Sequence, residues 1–139
     1  MEAPYPLTGT VIKGQQLGRT LGFPTANLTI SDALKLIPGT GVYAAFAQME
    51  SDLTWYPAMV NIGTRPTVQP SSHETQVEVH FLEGGKKCYG EKVQIRFVQR
   101  LRDEKAFDDL DSLRLQLQQD AIQTVQVLEA RATEKPTAS

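Results

Sequence analysis

The apolar residues of this chain change period once, near Leu101, and that change limits the fold more than any other feature. Before it, they alternate or run in short extended stretches. Residues 74–82 are the clearest case: Thr75, Val77, Val79 and Phe81 share one face, and Gln76, Glu78 and His80 the other. Residues 92–101 are the expected partner across a Gly84-Gly85 turn, with Val93, Ile95 and Phe97 inward and Gln94 and Arg96 outward. Residues 8–13, 28–30, 42–49 and 54–62 read as further extended segments. Pro57 lies inside the last of these, which suggests an edge position or a bulge. Beyond Leu101, the residues Phe107, Leu110, Leu113, Leu117, Ala121, Val125 and Leu128 recur at three- and four-residue steps, an amphipathic helix of about five turns. Asp108, Asp109 and Asp111 crowd its start, where the helix dipole favours anions. Asp103 is the expected cap of the connection that leads into it.

Strands with no helix between them pair antiparallel. The order reads as five or six strands and then one helix; six strands closed on themselves, with one helix over an open end, is the simplest way to remove the sheet edges. The expected fold is therefore mainly β: a six-stranded antiparallel barrel with one long C-terminal α-helix. Residues 31–37 suggest one helical turn capped by Ser31, and residues 63–72 a loop of about ten residues, a length that is often functional. Residues 1–131 read as one domain and 132–139 as a disordered tail.

The 139 residues suffice for one domain with a real core. A net charge of −2 argues against a general nucleic-acid binder. Cys88 is the single cysteine, so neither an intrachain disulfide nor a cysteine-rich metal site is available. His73 and His80 do not have metal-pair spacing. No run of eighteen apolar residues and no signal-peptide pattern occurs, so no membrane partner is expected and the cytoplasm is the default location.

Chemistry concentrates in the stretch Gly18-Arg19-Thr20-Leu21-Gly22-Phe23-Pro24-Thr25-Ala26-Asn27. Its glycines allow close backbone approach to a ligand. Pro24 holds Phe23 extended. Arg19 offers a fork of donors suited to phosphate. Thr25 and Asn27 point to one side of an extended segment and are oxygen donors of the kind magnesium accepts. The stretch is not a Walker A loop, and it also reads as an ordinary surface turn. Glu78 is either a solvated outward carboxylate or, if its face lines a cleft, a rigidly held general base. His80 on the same face reads as a surface histidine. Asn61-Ile62-Gly63-Thr64-Arg65-Pro66-Thr67 carries an amide that can donate and accept at once, yet it is also a plain turn sequence.

Taken in order, these pieces resemble the riboflavin kinases over roughly residues 4–130: the Gly9–Gly14 segment, the Pro24-Thr25-Ala26-Asn27 element, Gly41-Val42-Tyr43, the Asn61 segment, Glu78-Val79-His80, Tyr89-Gly90, and Leu101-Arg102-Asp103-Glu104-Lys105-Ala106-Phe107. In bacteria that module is usually the C-terminal half of a bifunctional FAD synthetase. The resemblance implies the same barrel and transfer of the ATP γ-phosphoryl group to the terminal ribityl hydroxyl of riboflavin, giving FMN and ADP. It implies Mg2+ or another divalent cation, with Thr25 and Asn27 holding the metal and nucleotide phosphates, and Gly14, Arg19, Gly22 and Pro24 in the nucleotide loop. Glu78 would be the base. Asn61, Gly63, Arg102 and Phe107 would line the flavin side. Riboflavin and ATP are the implied partners, with an N-terminal FMN adenylyltransferase domain in a full-length protein. Two departures count. Lys86-Lys87-Cys88 stand where the family often has an acidic residue, so its adenine contacts do not carry over. No His-x-Gly-His occurs, so FAD synthesis is not expected of this chain alone. A binding barrel without catalysis and a small RNA- or protein-binding barrel are the competing classes.

Overall fold

A computed structural model describes residues 7–12, 23, 25–30, 37–66, 73–83 and 90–131. The strands are β1 (Leu7–Ile12), β2 (Thr25–Thr29), β3 (Gly41–Met49), β4 (Asp52–Pro66), β5 (His73–Phe81) and β6 (Lys92–Arg102), followed by the helix α1 (Leu110–Ala130). They close into one barrel in the order β1-β2-β5-β4-β3-β6, every neighbouring pair antiparallel. The expected pairing of residues 74–82 with 92–101 is not made: β5 is taken on its two sides by β2 and β4, and β6 closes the barrel between β1 and β3.

The alternation of β5 and β6 does what its period requires: Val77, Val79, Phe81, Val93, Ile95 and Phe97 fill the barrel interior. Leu7 and Val11 of β1 and Ala26 and Leu28 of β2 join them. Tyr43 meets Phe97 edge-on inside, with ring centroids 5.1 Å apart, and its hydroxyl donates to the Gly39 carbonyl at 2.6 Å. Gly41 opens β3 at φ 145°, where the Arg102 carbonyl and the Arg100 side chain occupy the space a Cβ would need.

The helix does not sit over an open end of the barrel. It lies along the outer wall of β3, β4 and β6. The reason is the second face of those strands. Ala44, Phe46 and Val98 point outward and pack with Trp55 and Leu128, while Met59 packs with Leu117. That apolar outer patch needs cover, and α1 supplies it. Its buried positions are Leu117, Asp120, Thr124 and Leu128. Leu110 and Val125, both in the expected apolar stripe, are exposed. The helix begins three residues after Phe107. Its cap is Asp109, whose carboxylate accepts from the Ser112 backbone N–H at 2.7 Å. Asp103 pairs instead with Arg100 at 2.6 Å.

Three further boundaries differ from expectation. β2 starts at Thr25, so the Thr25–Asn27 pair is strand and not loop. Residues 63–66 extend β4 and pair with residues 73–76 of β5. Pro57 is on no sheet edge, because the barrel is closed. Its carbonyl accepts from the Leu82 N–H at 3.0 Å, so its nitrogen faces the β5 side just past the last β4–β5 pair, Ala58–Phe81, where the ladder has ended. The expected helical turn at 31–37 (apart from Ile37), the Gly84-Gly85 turn and the tail at 132–139 lie outside the described residues.

Candidate active site

The register sets one row of side chains around the outer wall. Asn27 of β2 faces Glu78 of β5, Glu78 faces Asn61 of β4, Asn61 faces Val42 of β3, and Val42 faces Arg102 of β6. A second row runs beside it through Thr25, His80, Met59 and Ala44. Two register shifts in the β3–β6 ladder leave Val98 and Leu101 as extra residues on β6. Such bulges re-aim the side chains around them. Here Val98 joins the helix-covered patch and Arg102 joins the polar row.

Between that wall, the first turns of α1 and the 103–107 connection lies a cleft of about 100 Å³. Glu78, Asn61, His80, Arg102 and Phe107 line it over an apolar floor that includes Met59 and Leu117. Gly63 lies two residues beyond Asn61 on the same face, directly beneath the Glu104 carboxylate, whose oxygens occupy the place of a side chain. Lys105 stands over the Phe107 ring, 5.6 Å from its centroid. The side-chain oxygen of Asn61 is buried and has no hydrogen-bond partner, an acceptor still to be satisfied. A second cleft, of about 270 Å³, is lined by Asn27, Thr75 and Gln76 together with Ile12, Ile30 and Ile37. Asn27 and Glu78 are direct cross-strand partners, so one member of that pair lines each cleft.

His80 is not a surface histidine. It is 6% exposed, and its Nδ1 lies 3.0 Å from the Thr25 hydroxyl. Thr25 donates its only proton to the Phe23 carbonyl at 3.1 Å. The ring must then donate through Nδ1–H to Thr25, which sets the tautomer. Burial pushes the His80 pKa down to about 4, an effect that the charge of Asp120 only partly offsets. With its proton committed, the Thr25 oxygen presents a lone pair, and Asn27 beside it contributes an amide. These are hard oxygen donors that suit magnesium together with phosphate oxygens and water. Among the described residues no group of three or more His, Cys, Asp or Glu side chains could hold a metal by itself. The fit is therefore to a metal shared with a nucleotide.

Sequence reasoning thus brings Glu78, Asn61, Arg102 and Phe107 into one cleft, with Gly63 adjoining and Thr25 and Asn27 at its border. Gly14, Arg19, Gly22 and Pro24 lie outside the described residues. It missed His80, Asp120 and Gln116. Asp120 accepts from Arg102 Nε at 2.9 Å and Nη2 at 2.8 Å, and from Gln116 Nε2 at 2.9 Å. The available signal was a carboxylate set within the apolar stripe of a helix, three residues after Leu117.

The riboflavin kinase (flavokinase) family model matches residues 1–128. The chain belongs to that family. It is 35% identical to the bifunctional riboflavin kinase/FMN adenylyltransferase of Escherichia coli K12 over 86% of this chain, but spans only 36% of that protein. It is 39% identical to the RNA-binding riboflavin kinase RibR of Bacillus subtilis, over 82% of this chain and 47% of that protein. The crystal structure of riboflavin kinase from Trypanosoma brucei superposes with a TM-score of 0.63 at 21% identity, covering 100% of this chain and 94% of that one, a likeness of fold. The barrel expected from the strand count is the fold this family member adopts. Among the described residues no helix is long and apolar enough to cross a membrane.

Proposed function

We propose that this chain transfers the γ-phosphoryl group of ATP to the ribityl 5′-hydroxyl of riboflavin, giving FMN and ADP. The observation that carries the reading is the Asn27–Glu78–Asn61 row, in which Asn27 lines one cleft and Glu78 and Asn61 the other. A carboxylate there stands between a place for the acceptor and a place for the phosphates. Riboflavin occupies the cleft of Asn61, Arg102 and Phe107, with Gly63 leaving room for the Glu104 carboxylate that packs against it. Glu78 accepts the hydroxyl proton as the new O–P bond forms and the bond to the β-phosphate oxygen breaks, so that ADP leaves. Thr25 and Asn27 would hold a divalent cation together with the nucleotide phosphates, and Gly14, Arg19, Gly22 and Pro24 are the residues that the family resemblance assigns to the nucleotide. That cation neutralises phosphate charge; the protein itself contributes position and the proton acceptor. A net charge of −2 calls for no nucleic-acid partner. The cytoplasm, where ATP is supplied, is the expected location. In a longer protein an FMN adenylyltransferase domain is the expected neighbour.

Incubation of the chain with riboflavin, ATP and magnesium, followed by chromatography, tests the reading. FMN should accumulate without FAD. No FMN in the presence of each of magnesium, manganese and zinc would overturn it.

A further inference from the structure

The ion pair of Arg102 and Asp120 is nearly sealed from solvent: the side chains are 20% and 1% exposed. It is bidentate, Nε and Nη2 of the guanidinium each meeting one carboxylate oxygen. Gln116, one turn earlier on α1, adds a third donor to Asp120. A third nitrogen of Arg102, Nη1, donates to the Asp103 carbonyl at 2.9 Å. Asp120 therefore ties three things together: the helix, the last residue of β6 and the start of the 103–107 connection that walls the cleft.

Stability does not account for this arrangement. Burying two charges is roughly neutral against a well-packed apolar pair of the same volume, and often worse. The neighbouring contacts of α1 through Leu117 and Leu128 already dock the helix with apolar area. What the pair supplies that an apolar pair could not is direction. Arg102 has five N–H donors, and three are engaged by Asp120 and Asp103. Two are left for a ligand in the cleft that Arg102 and Asp120 both line.

We propose that Asp120 is a positioning residue for the acceptor substrate. It holds the Arg102 guanidinium, and through it the 103–107 wall, in the orientation that receives riboflavin, so that the C-terminal helix is part of the binding site and not only a cover for the barrel. The proposal rests on the reading of this cleft as the flavin site, and its test separates the two.

Four variants of the full chain are measured for thermal stability, for riboflavin affinity by flavin fluorescence, and for KM of each substrate and kcat. They are the apolar pair Arg102→Met with Asp120→Leu, the single Asp120→Asn, the single Arg102→Lys, and Asn61→Leu on the opposite wall. The apolar pair should fold with a melting temperature at or above that of the parent. Its riboflavin Kd should rise roughly ten- to hundredfold, the loss of a charged hydrogen bond, while KM for ATP stays put. Asp120→Asn should raise the riboflavin Kd in the same direction as Arg102→Lys. A merely structural role would lower stability and move both KM values together. If the double variant does not fold, Asp120→Asn and Arg102→Lys, which keep the local shape, carry the test. Parent-like riboflavin affinity in a folded Asp120→Asn protein overturns the positioning role. If Asn61→Leu then still weakens riboflavin, the flavin reading of the cleft stands without it; if no variant does, that reading falls as well.

Discussion

Glu78 shows how little a residue type says before its surroundings are known. On a strand of period two it is an outward carboxylate, one of many such. The barrel places Asn27 on one side of it and Asn61 on the other, at the edge of a covered cleft. Glu78→Gln keeps the shape and removes the proton acceptor. Turnover should fall by roughly 10²–10⁴, with riboflavin and ATP affinities changed little; parent-like kcat would remove Glu78 as base. His80 makes a prediction about pH. Its folded pKa of about 4 lies below the unfolded value of about 6.5, so the unfolded chain binds more protons between them. Stability is then fully present above pH ~6.5 and falls by up to about 1.4 kcal/mol per unit toward pH ~4. In His80→Asn the amide nitrogen can replace Nδ1 toward Thr25 without titrating. Urea midpoints of the two proteins should diverge steadily from pH 7 to pH 5, with the parent losing more. Parallel curves would show that the ring is not held neutral. The alternation of residues 74–82 revealed which side chains share a face, but could not reveal that the outer face is itself covered. That is why His80 read as exposed.

The helix carries the same lesson at the scale of an element. Its period was legible, because three- and four-residue steps of Leu and Ala admit little else. Its cap, its buried face and its place were not. Asp109 caps it because the backbone there is extended, φ −145° and ψ 163°, and aims the carboxylate at Ser112. Asp103, equally suited by type, is drawn to Arg100. The buried stripe turns toward Asp120 and Thr124 because the wall beneath offers Arg102 there, leaving Val125 outside. At the far end Arg131 Nη1 donates to the Val98 carbonyl at 2.9 Å, and Leu128 fills the gap between Phe46 and Trp55. Leu128→Ala should lower stability by about 2–4 kcal/mol in denaturant unfolding, while KM for riboflavin is unchanged. A matching rise in that KM would mean that the two ends of the helix act as one rigid body on the site.

For the molecule as a whole, the proposed function asks two clefts, one lined by Asn27 and the other by its cross-strand partner Glu78, to take the two substrates. A nucleotide that binds only the folded chain stabilises it by mass action, about 2.7 kcal/mol at a hundredfold excess over Kd. Magnesium-ATP should therefore raise the melting temperature, chelation of the metal should reverse most of the rise, and Thr25→Ala should abolish the rise when it is measured from that variant's own unliganded transition, which the loss of the His80 hydrogen bond lowers. An equal rise in that variant would exclude Thr25 from the metal site. By itself the sequence determined the extended segments, their antiparallel sense, a count of five or six and the presence of one terminal helix. These follow from local period and from the need to leave no unpaired edge. The one pairing it suggested, residues 74–82 with 92–101, is not made, because β5 lies between β2 and β4 and β6 between β1 and β3. Its motifs also identified the family. Only the tertiary structure decided that the helix lies on the side wall and that Asn27, Glu78, Asn61 and Arg102, 75 positions apart from first to last, stand in one row. The physical reason is register. Pairing across strands depends on bulges and on which of two apolar faces wins the interior, and neither is written in any single stretch of chain.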